Sequence, residues 1–339
     1  MHAALEPVLN SIFEGQPVAR SAIETAFGAI MDGQCSETEV ASLLTALRVA
    51  GETVDEIAGV ASVMRQRATR IPTARTGLLD TCGTGGDKLH TFNISTATAF
   101  VVAAAGVPVA KHGNRGVSSS SGSADVLEAL GVNVQLTPEQ VGRCIERVGI
   151  GFCFAQLLHS AMKHVGPVRK QLGFRTIFNL LGPLTNPAGA EFQLLGGNRR
   201  QFASMLAAAL HQLGIWRAFV VCGNNELDEV SLWGETAVFD VSSAGVTESL
   251  WTAQTFGLDE CRVEDLRVNG SAESANRIRR LLTGERGPAR DIVVANAAAA
   301  LVVAGHAANP LEGAALAAHA IDSGRAQQKL EHLQGESHS

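Results

Sequence analysis

Residues 80–96 read "DTCGTGGDKLHTFNIST", and the fold turns on how this stretch is parsed. The short apolar run "GLLDT" before it has the length and composition of a strand. The apolar run from Ile94 to about Ala105 has those of a helix. Between them Gly83, Gly85 and Gly86 allow positive φ and let a ligand approach backbone N–H groups. Asn93, Ser95 and Thr96 sit where the helix begins. Their hydroxyls and free amides suit phosphate oxygens, helped by the helix dipole at ~0.3–1 kcal/mol per charge. The match to G-x-G-x-x-G fails because Lys88 takes the last position, and no G-K-[ST] follows. Taken alone, the loop is equally well read as a structural turn. Its Asp87 would repel an anion unless a metal ion or a ligand hydroxyl lay between them.

The next segment repeats the scheme. "VPVAKHG" is a strand candidate, and "KHGNRGVSSSSGSAD" follows it. Lys111, His112 and Arg115 bring positive charge to the strand end. Gly113 and Gly116 open the backbone, and the serines from Ser118 to Ser123 supply donors and a helix N-cap. A flexible serine loop is the competing reading. Two successive strand ends with this chemistry point to a ligand with two separated phosphate groups. A third end, "AQLLHSAMKHVGPVRK", offers His159, Lys163 and Arg169 for a carboxylate, which the planar guanidinium fork matches. Each of these is equally a surface charge when taken singly. A fourth, "CGNNELDEVSLWG", carries the adjacent acids Asp228 and Glu229. Adjacent side chains diverge, so the pair suits Mg²⁺ shared with substrate phosphates, or else is a solvated acidic loop.

Around these loops the chain alternates strand and helix signals. "VNVQLT", "GIGFCFAQ", "FQLLGG", "RAFVVCG" and "TAVFDV" read as strands, and "PEQVGRCIERV" and "RQFASMLAAALHQLG" as helices. The expectation is a doubly wound, mostly parallel α/β sheet with ligands outside the C-terminal strand ends. Residues 1–73 show helical periodicity only, with a capping box at Ser36 and Glu39. They are expected to form a small all-helical domain, against which 164–186 pack, leaving 74–339 as the α/β catalytic domain. "ARDIVVANAAAALVVAG" and "LEGAALAAHAIDSGRAQQKLEHL" read as two alanine-rich helices, and the final "QGESHS" as frayed.

The 339 residues carry a net charge of −6, which argues against a general nucleic-acid binder. It also requires local cations or metal for any anionic ligand. The six cysteines form no CxxC pair, so they read as reduced thiols of a cytoplasmic protein. Cys82, beside the glycine loop, reads as a small buried filler rather than a nucleophile. No apolar run is long enough to span a bilayer.

"GTGGD", "TFNIST", "KHGNR", "SGSADVLEALG", "RTIFNLLGPLTNP" and "LDE" together resemble the anthranilate phosphoribosyltransferase family over nearly the whole chain. The resemblance implies transfer of phosphoribosyl from 5-phosphoribosyl 1-diphosphate to the amine of anthranilate, in tryptophan synthesis. It also implies two Mg²⁺ ions per subunit and a homodimer formed through the helical part. On this reading Gly83, Gly86, Asp87 and Thr91 line the donor site, and Asn93, Ile94, Ser95 and Thr96 join them at the helix start. Lys111, His112, Gly113, Asn114, Arg115, Gly116, Val117, Ser118, Ser119 and Ser123 complete it. Gly83, Asn114, His159 and Arg169 contact anthranilate, and Ser95, Asp228 and Glu229 hold metal. Gln156, Leu158 and Ser160 stand where the family often has Pro, His and Pro, on the acceptor's approach path. Glu226 and Glu235 replace a usual Gly and Pro beside the metal pair. The alternatives are a non-catalytic nucleic-acid-binding relative of the same fold and a pyrimidine nucleoside phosphorylase-like enzyme.

Overall fold

The structure is a computed structural model that describes residues 1–116 and 121–339. Val117, Ser118 and Ser119 lie outside the described residues. The chain opens with four helices, α1 (Glu6–Phe13), α2 (Arg20–Met31), α3 (Glu37–Ala50) and α4 (Val54–Arg67). Two begin with reciprocal caps. The Ser36 hydroxyl accepts from Glu39 N–H while the Glu39 carboxylate accepts from Ser36 N–H, and Thr53 and Glu56 do the same for α4. These boxes satisfy donors that a helix start otherwise leaves orphaned.

The α/β grammar begins at β1 (Leu79–Gly83), followed by α5 (Ile94–Ala104), β2 (Val109–Gly113), α6 (Ser123–Ala129), α7 (Pro138–Val148) and β3 (Ile150–Phe154). Three short helices then form a connector: α8 (Ala155–Leu158), α9 (Gly166–Leu172) and α10 (Phe178–Leu181). The rest is β4 (Phe192–Gly196), α11 (Arg200–Gln212), β5 (Arg217–Gly223), β6 (Thr236–Ser242), β7 (Gly245–Trp251), α12 (Ser271–Leu282), α13 (Pro288–Val303), α14 (Pro310–Asp322) and α15 (Arg325–Ser337).

The strands form one seven-stranded sheet in the order β3-β2-β1-β4-β5-β6-β7. The pairs from β3 to β5 are parallel, and β6 and β7 add an antiparallel edge. Successive strands run outward one way from β1 and the other way from β4. The topological switch point, where open α/β sheets bind ligands, is therefore the β1/β4 seam.

Residues of β5 alternate between two buried layers. Phe219 and Val221 face the core that holds α5 and α13, whereas Ala218, Val220 and Cys222 face the other. That second layer runs without a break from Val220 through Leu206 and Leu210 of α11 to Phe27, Leu43 and Ile57 of the N-terminal helices. The connector belongs to it as well. Val165, Val168 and Leu184 are buried there, and the Phe178 ring lies 5.7 Å from that of Phe27.

Three sequence expectations differ from the structure, and two elements were not expected. "VNVQLT" is not a strand, although Val132, Val134 and Leu136 are buried at period two. Its backbone is held by the C-terminus instead: Asn133 N–H donates to the Ser337 hydroxyl at 3.0 Å. For the same reason "QGESHS" is not frayed as a whole, since α15 runs to Ser337, which is 2 % exposed. The second alanine-rich segment is two helices, because Gly324 takes a left-handed φ of 75° between α14 and α15. Finally, β7 and α12 carry no sequence expectation. The central residues of β7, Val246–Leu250, are all exposed, so no apolar alternation marks it.

Candidate active site

The glycine loop does at the sheet what its composition suggests. Beyond β1, Gly85 and Gly86 take φ of 68° and 77°, a region open to glycine at little cost. The loop thereby turns a backbone N–H inward: that of Gly85 donates to Oδ2 of Asp228 at 2.6 Å. Gly83 and Gly196 are as necessary as the loop glycines. A Cβ at Gly83 would overlap the Asp228 carboxylate, and one at Gly196 would overlap the Asp228 carbonyl. The acid-bearing loop after β5 therefore lies directly on the ends of β1 and β4.

The start of α5 makes the second half. The Ser95 backbone amide draws the Glu229 carboxyl down slightly, and Thr96 Oγ1 donates to Asn93 Oδ1. Asn93 N–H is tied to Ser274 Oγ of α12 at 2.9 Å. Beneath lies Lys111, only 3 % exposed, whose ammonium donates to the Thr81 carbonyl and to Ser95 Oγ at 3.1 Å. Arg115 reaches away from the loop into a fork with Glu128, at 2.7 Å on each nitrogen, and to Asp125 at 3.0 Å. Gly122 packs against the backbone of residues 114–116 so closely that a Cβ would collide.

These parts enclose a crevice of about 290 Å³. Gly83, Gly86, Asp87, Thr91, Asn93, Ile94 and Ser95 line it. So do Lys111, His112, Gly113, Asn114, Arg115, Gly116 and Ser123, with Asp228 and Glu229 opposite. Of the expected residues, Thr96 is buried just behind this lining. His159 and Arg169 also lie outside it. His159 is 7 % exposed and meets His112, Nε2 to Nε2, at 3.2 Å. The Arg169 guanidinium stacks 5.4 Å from the Phe178 ring centre. Asn179 lines the crevice and was missed; its only signal was its place inside "RTIFNLLGPLTNP".

Three acids face one another here. Burial raises the Asp228 carboxyl to about 7, with the charge of Asp87 adding to the rise and the Gly85 N–H opposing it. Burial and the Asp228 charge push Glu229 well above the usual range, against the pull of Lys111. Asp87 is raised by burial as well. A cluster of carboxylates that burial disfavours in charged form is the natural seat of a divalent cation. Among the described residues no three or more His, Cys, Asp or Glu side chains gather as a ready-made metal cage. An ion here would take its remaining ligands from substrate and water, as Mg²⁺ commonly does.

Four of the unusual residues have clear partners. The Glu226 carboxylate accepts from Asn224 Nδ2 at 2.8 Å and Trp233 Nε1 at 2.9 Å, and these bonds hold its pKa low. It is spent on its own turn, not on the metal pair. Glu235 contributes its carbonyl to the same turn, accepting from Asn224 N–H at 2.7 Å. Gln156 Nε2 donates to Asn114 Oδ1 at 3.1 Å. Leu158 is buried, and its carbonyl accepts from Thr69 N–H of the interdomain linker at 2.8 Å. Cys82 is the buried filler expected, with Gln193 Nε2 donating to its sulfur at 3.3 Å and burial pushing its thiol up.

Comparison with known proteins agrees with this geometry. Residues 6–68 match the helical bundle domain of a glycosyl transferase family, and residues 75–327 match its a/b domain. The chain is 49% identical to an anthranilate phosphoribosyltransferase of Chromobacterium violaceum, over 97% of this chain and 96% of that one. It is 48% identical to another from Geotalea uraniireducens, over 97% and 98%. Its structure superposes on anthranilate phosphoribosyltransferase of Thermus thermophilus with a TM-score of 0.92 at 43% identity, covering 98% of this chain and 100% of that one. The Saccharomyces cerevisiae enzyme, solved in complex with PRPP and Mg, gives a TM-score of 0.91 at 28% identity, covering 100% and 99%. With near-complete coverage in both sequence and fold, the chain belongs to the anthranilate phosphoribosyltransferase family.

Proposed function

We propose that this protein transfers the phosphoribosyl group of 5-phosphoribosyl 1-diphosphate to the amine of anthranilate, releasing diphosphate, in tryptophan biosynthesis. The observation that carries the reading is the meeting of Gly85 N–H, Ser95 N–H and the Lys111 ammonium with Asp228 and Glu229 at the switch point of the sheet. Backbone amides, a helix N-terminus and an ammonium suit a diphosphate. Adjacent acids suit the Mg²⁺ that such a donor carries. Mg²⁺, when bound, neutralises the leaving diphosphate. Asp228 and Glu229, with Ser95, would hold it, and two ions per subunit suit two acids whose side chains diverge.

The Gly85 N–H is held by the Asp228 carboxylate. Donor binding then requires Asp228 to give up the Gly85 N–H, which becomes free for a phosphate oxygen. Asp87 and Thr91 sit across the crevice, where they can engage ribose hydroxyls. As the anomeric C–O bond breaks, the amides of the glycine loop and the α5 start stabilise negative charge on the departing oxygens, and no proton need move first. The arylamine is unprotonated at neutral pH, so its lone pair forms the new C–N bond as the diphosphate leaves with the C–O electrons; the ammonium so formed is acidic and gives its proton to water, so no side chain is assigned as a base. Holding donor and acceptor in line can contribute roughly 7–11 kcal/mol.

Asn114, fixed by Gln156, and Gly83 are assigned to the acceptor. Arg169 and His159 lie outside the crevice lining; the assignment of Arg169 to the carboxylate rests on closure of the helical part, 1–73 with 164–186, over 74–339, and that of His159 on its contact with His112, which lines the crevice. Scattering that stayed unchanged on adding both substrates with Mg²⁺ would count against closure. A homodimer is supported by an apolar hollow between α1 and α3, where Phe13 and Val49 are 73% and 83% exposed. All six cysteines are free, which supports a reducing, cytoplasmic setting. No helix among the described residues is long and apolar enough to cross a membrane.

The direct test is loss of anthranilate fluorescence on mixing with donor, Mg²⁺ and protein. Loss that persists without donor or without Mg²⁺ would reject the reading.

A further inference from the structure

A second hollow, of about 560 Å³, lies at the opposite end of the sheet from the crevice. Glu191 and Gln193 at the start of β4 and Trp216 before β5 line it, with Arg65 from the end of α4 and Arg70 from the linker. Its size falls within the range of small-molecule sites, about 300–1,000 Å³. We propose that it binds a small carboxylate with an aromatic or apolar body, and that its occupancy bears on the catalytic crevice.

Charge is the first argument. The neighbouring Arg67 and Arg75 each have an acid, Asp32 and Glu146. Arg65 and Arg70 form no ion pair among the described residues. Arg65 makes one bond, Nε to the Leu184 carbonyl at 2.6 Å, which fixes its stem and leaves the rest of the fork for a ligand. The one acid in the hollow, Glu191, is turned onto the backbone, where its Oε2 accepts from Leu78 N–H at 2.7 Å. Two guanidiniums with no ion-pair partner suit a carboxylate ligand.

Apolar shape is the second. Trp216 is 74% exposed and lines the same hollow as the apolar Ile71, Pro183 and Ile215. An exposed indole on an apolar wall is a surface on which a flat ring can lie, and a guanidinium beside it adds to the attraction.

The link to the crevice is covalent and short. Residues 182–186 form part of the hollow's wall through Pro183 and Asn186. The same stretch grips the strands under the crevice. The Gly182 carbonyl meets His112 Nδ1 at 2.9 Å, Asn186 Nδ2 donates to the Ala110 carbonyl at 2.8 Å, and Pro183's carbonyl accepts from Gln193 Nε2 at 2.6 Å. A ligand wedged against Pro183 and Asn186 therefore pushes on the segment that orients His112 and, three residues upstream of Gly182, on Asn179 of the crevice lining.

The test uses phenylacetate as the probe and 2-phenylethanol as its uncharged counterpart, read by tryptophan fluorescence on the full chain. Phenylacetate is expected to quench saturably and the alcohol not. Arg70→Met should weaken phenylacetate binding roughly tenfold with unchanged circular dichroism, the loss of a charge-assisted pair. Trp216→Phe should remove the signal. Equal affinity in Arg70→Met, equal binding of the alcohol, or no saturable quench would overturn the site. Because Arg70 is remote from the crevice, binding confined to the acceptor pocket would survive Arg70→Met and so refute the proposal without touching the transferase reading. At a concentration near the parent's dissociation constant, phenylacetate should shift the KM for anthranilate in the parent and far less in Arg70→Met. A parent KM that does not move would overturn the coupling.

Discussion

The backbone N–H of Gly85 and the carboxylate of Asp228, 143 residues apart in sequence, share a 2.6 Å hydrogen bond. That bond joins the glycine loop after β1 to the acid-bearing loop after β5.

Removing both acids should therefore separate folding from catalysis. Asp228→Asn with Glu229→Gln replaces two buried carboxyls whose charged forms burial disfavours, so the thermal midpoint should hold or rise. Turnover should fall by at least about 100-fold, since loss of charge neutralisation on the leaving group is worth several kcal/mol. Full activity of the double variant would reject the metal role of the pair.

Gly83→Ala should cripple donor binding, because the new Cβ overlaps the Asp228 carboxylate. Gly335→Ala is the control. It sits within α15 with open space around the added methyl, and should stabilise by about 0.5–1 kcal/mol. Calorimetric titration with the donor and Mg²⁺ distinguishes them. Undiminished affinity in Gly83→Ala would contradict the assigned loop geometry.

Gln156→Ala frees the Asn114 amide that Gln156 now holds. The KM for anthranilate should rise several-fold, on the scale of one lost hydrogen bond of about 1 kcal/mol. The KM for the donor should stay put. Equal changes in both would reassign Gln156 to general scaffolding.

Arg169→Ala should raise the KM for anthranilate far more than that for the donor if closure carries Arg169 to the acceptor. A parallel rise in both constants would assign Arg169 to packing against Phe178 instead.

His159 supplies a pH test. Burial lowers its pKa from 6.5 to about 4. Between those values the unfolded chain takes a proton that the folded chain refuses, so stability falls as pH falls. The loss accrues at up to about 1.4 kcal/mol per pH unit and stops below the folded value. Urea unfolding of the parent and His159→Gln, compared at about pH 7.5 and about pH 5, should show the parent losing more. Identical differences at both pH values would mean that the imidazole titrates normally.

The local chemistry was legible in the chain. Strand, glycine loop and helix start are encoded within residues 80–96, because positive φ, capping and apolar period are local properties. The same holds for the two capping boxes and for most strands, whose inward faces are continuously apolar. The edge strand β7 was not legible, since its exposed Thr, Glu and Ser side chains obey no burial pattern. "VNVQLT" had the pattern without the structure, because its alternation reflects burial against α15 rather than pairing in the sheet.

What the sequence determined alone was which short segments carry anion-binding, acidic and helix-starting chemistry, since each depends on neighbours a few residues away. Only the tertiary structure decided which of them meet. Strand order puts β1 beside β4, and the glycines at 83 and 196 let the Asp228 loop lie on both strand ends. The same packing sends Glu226 to Trp233 and Gln156 to Asn114, and leaves His159 and Arg169 behind the crevice wall. Side-chain partners separated by tens to hundreds of residues are fixed by packing in three dimensions, and no local pattern records them.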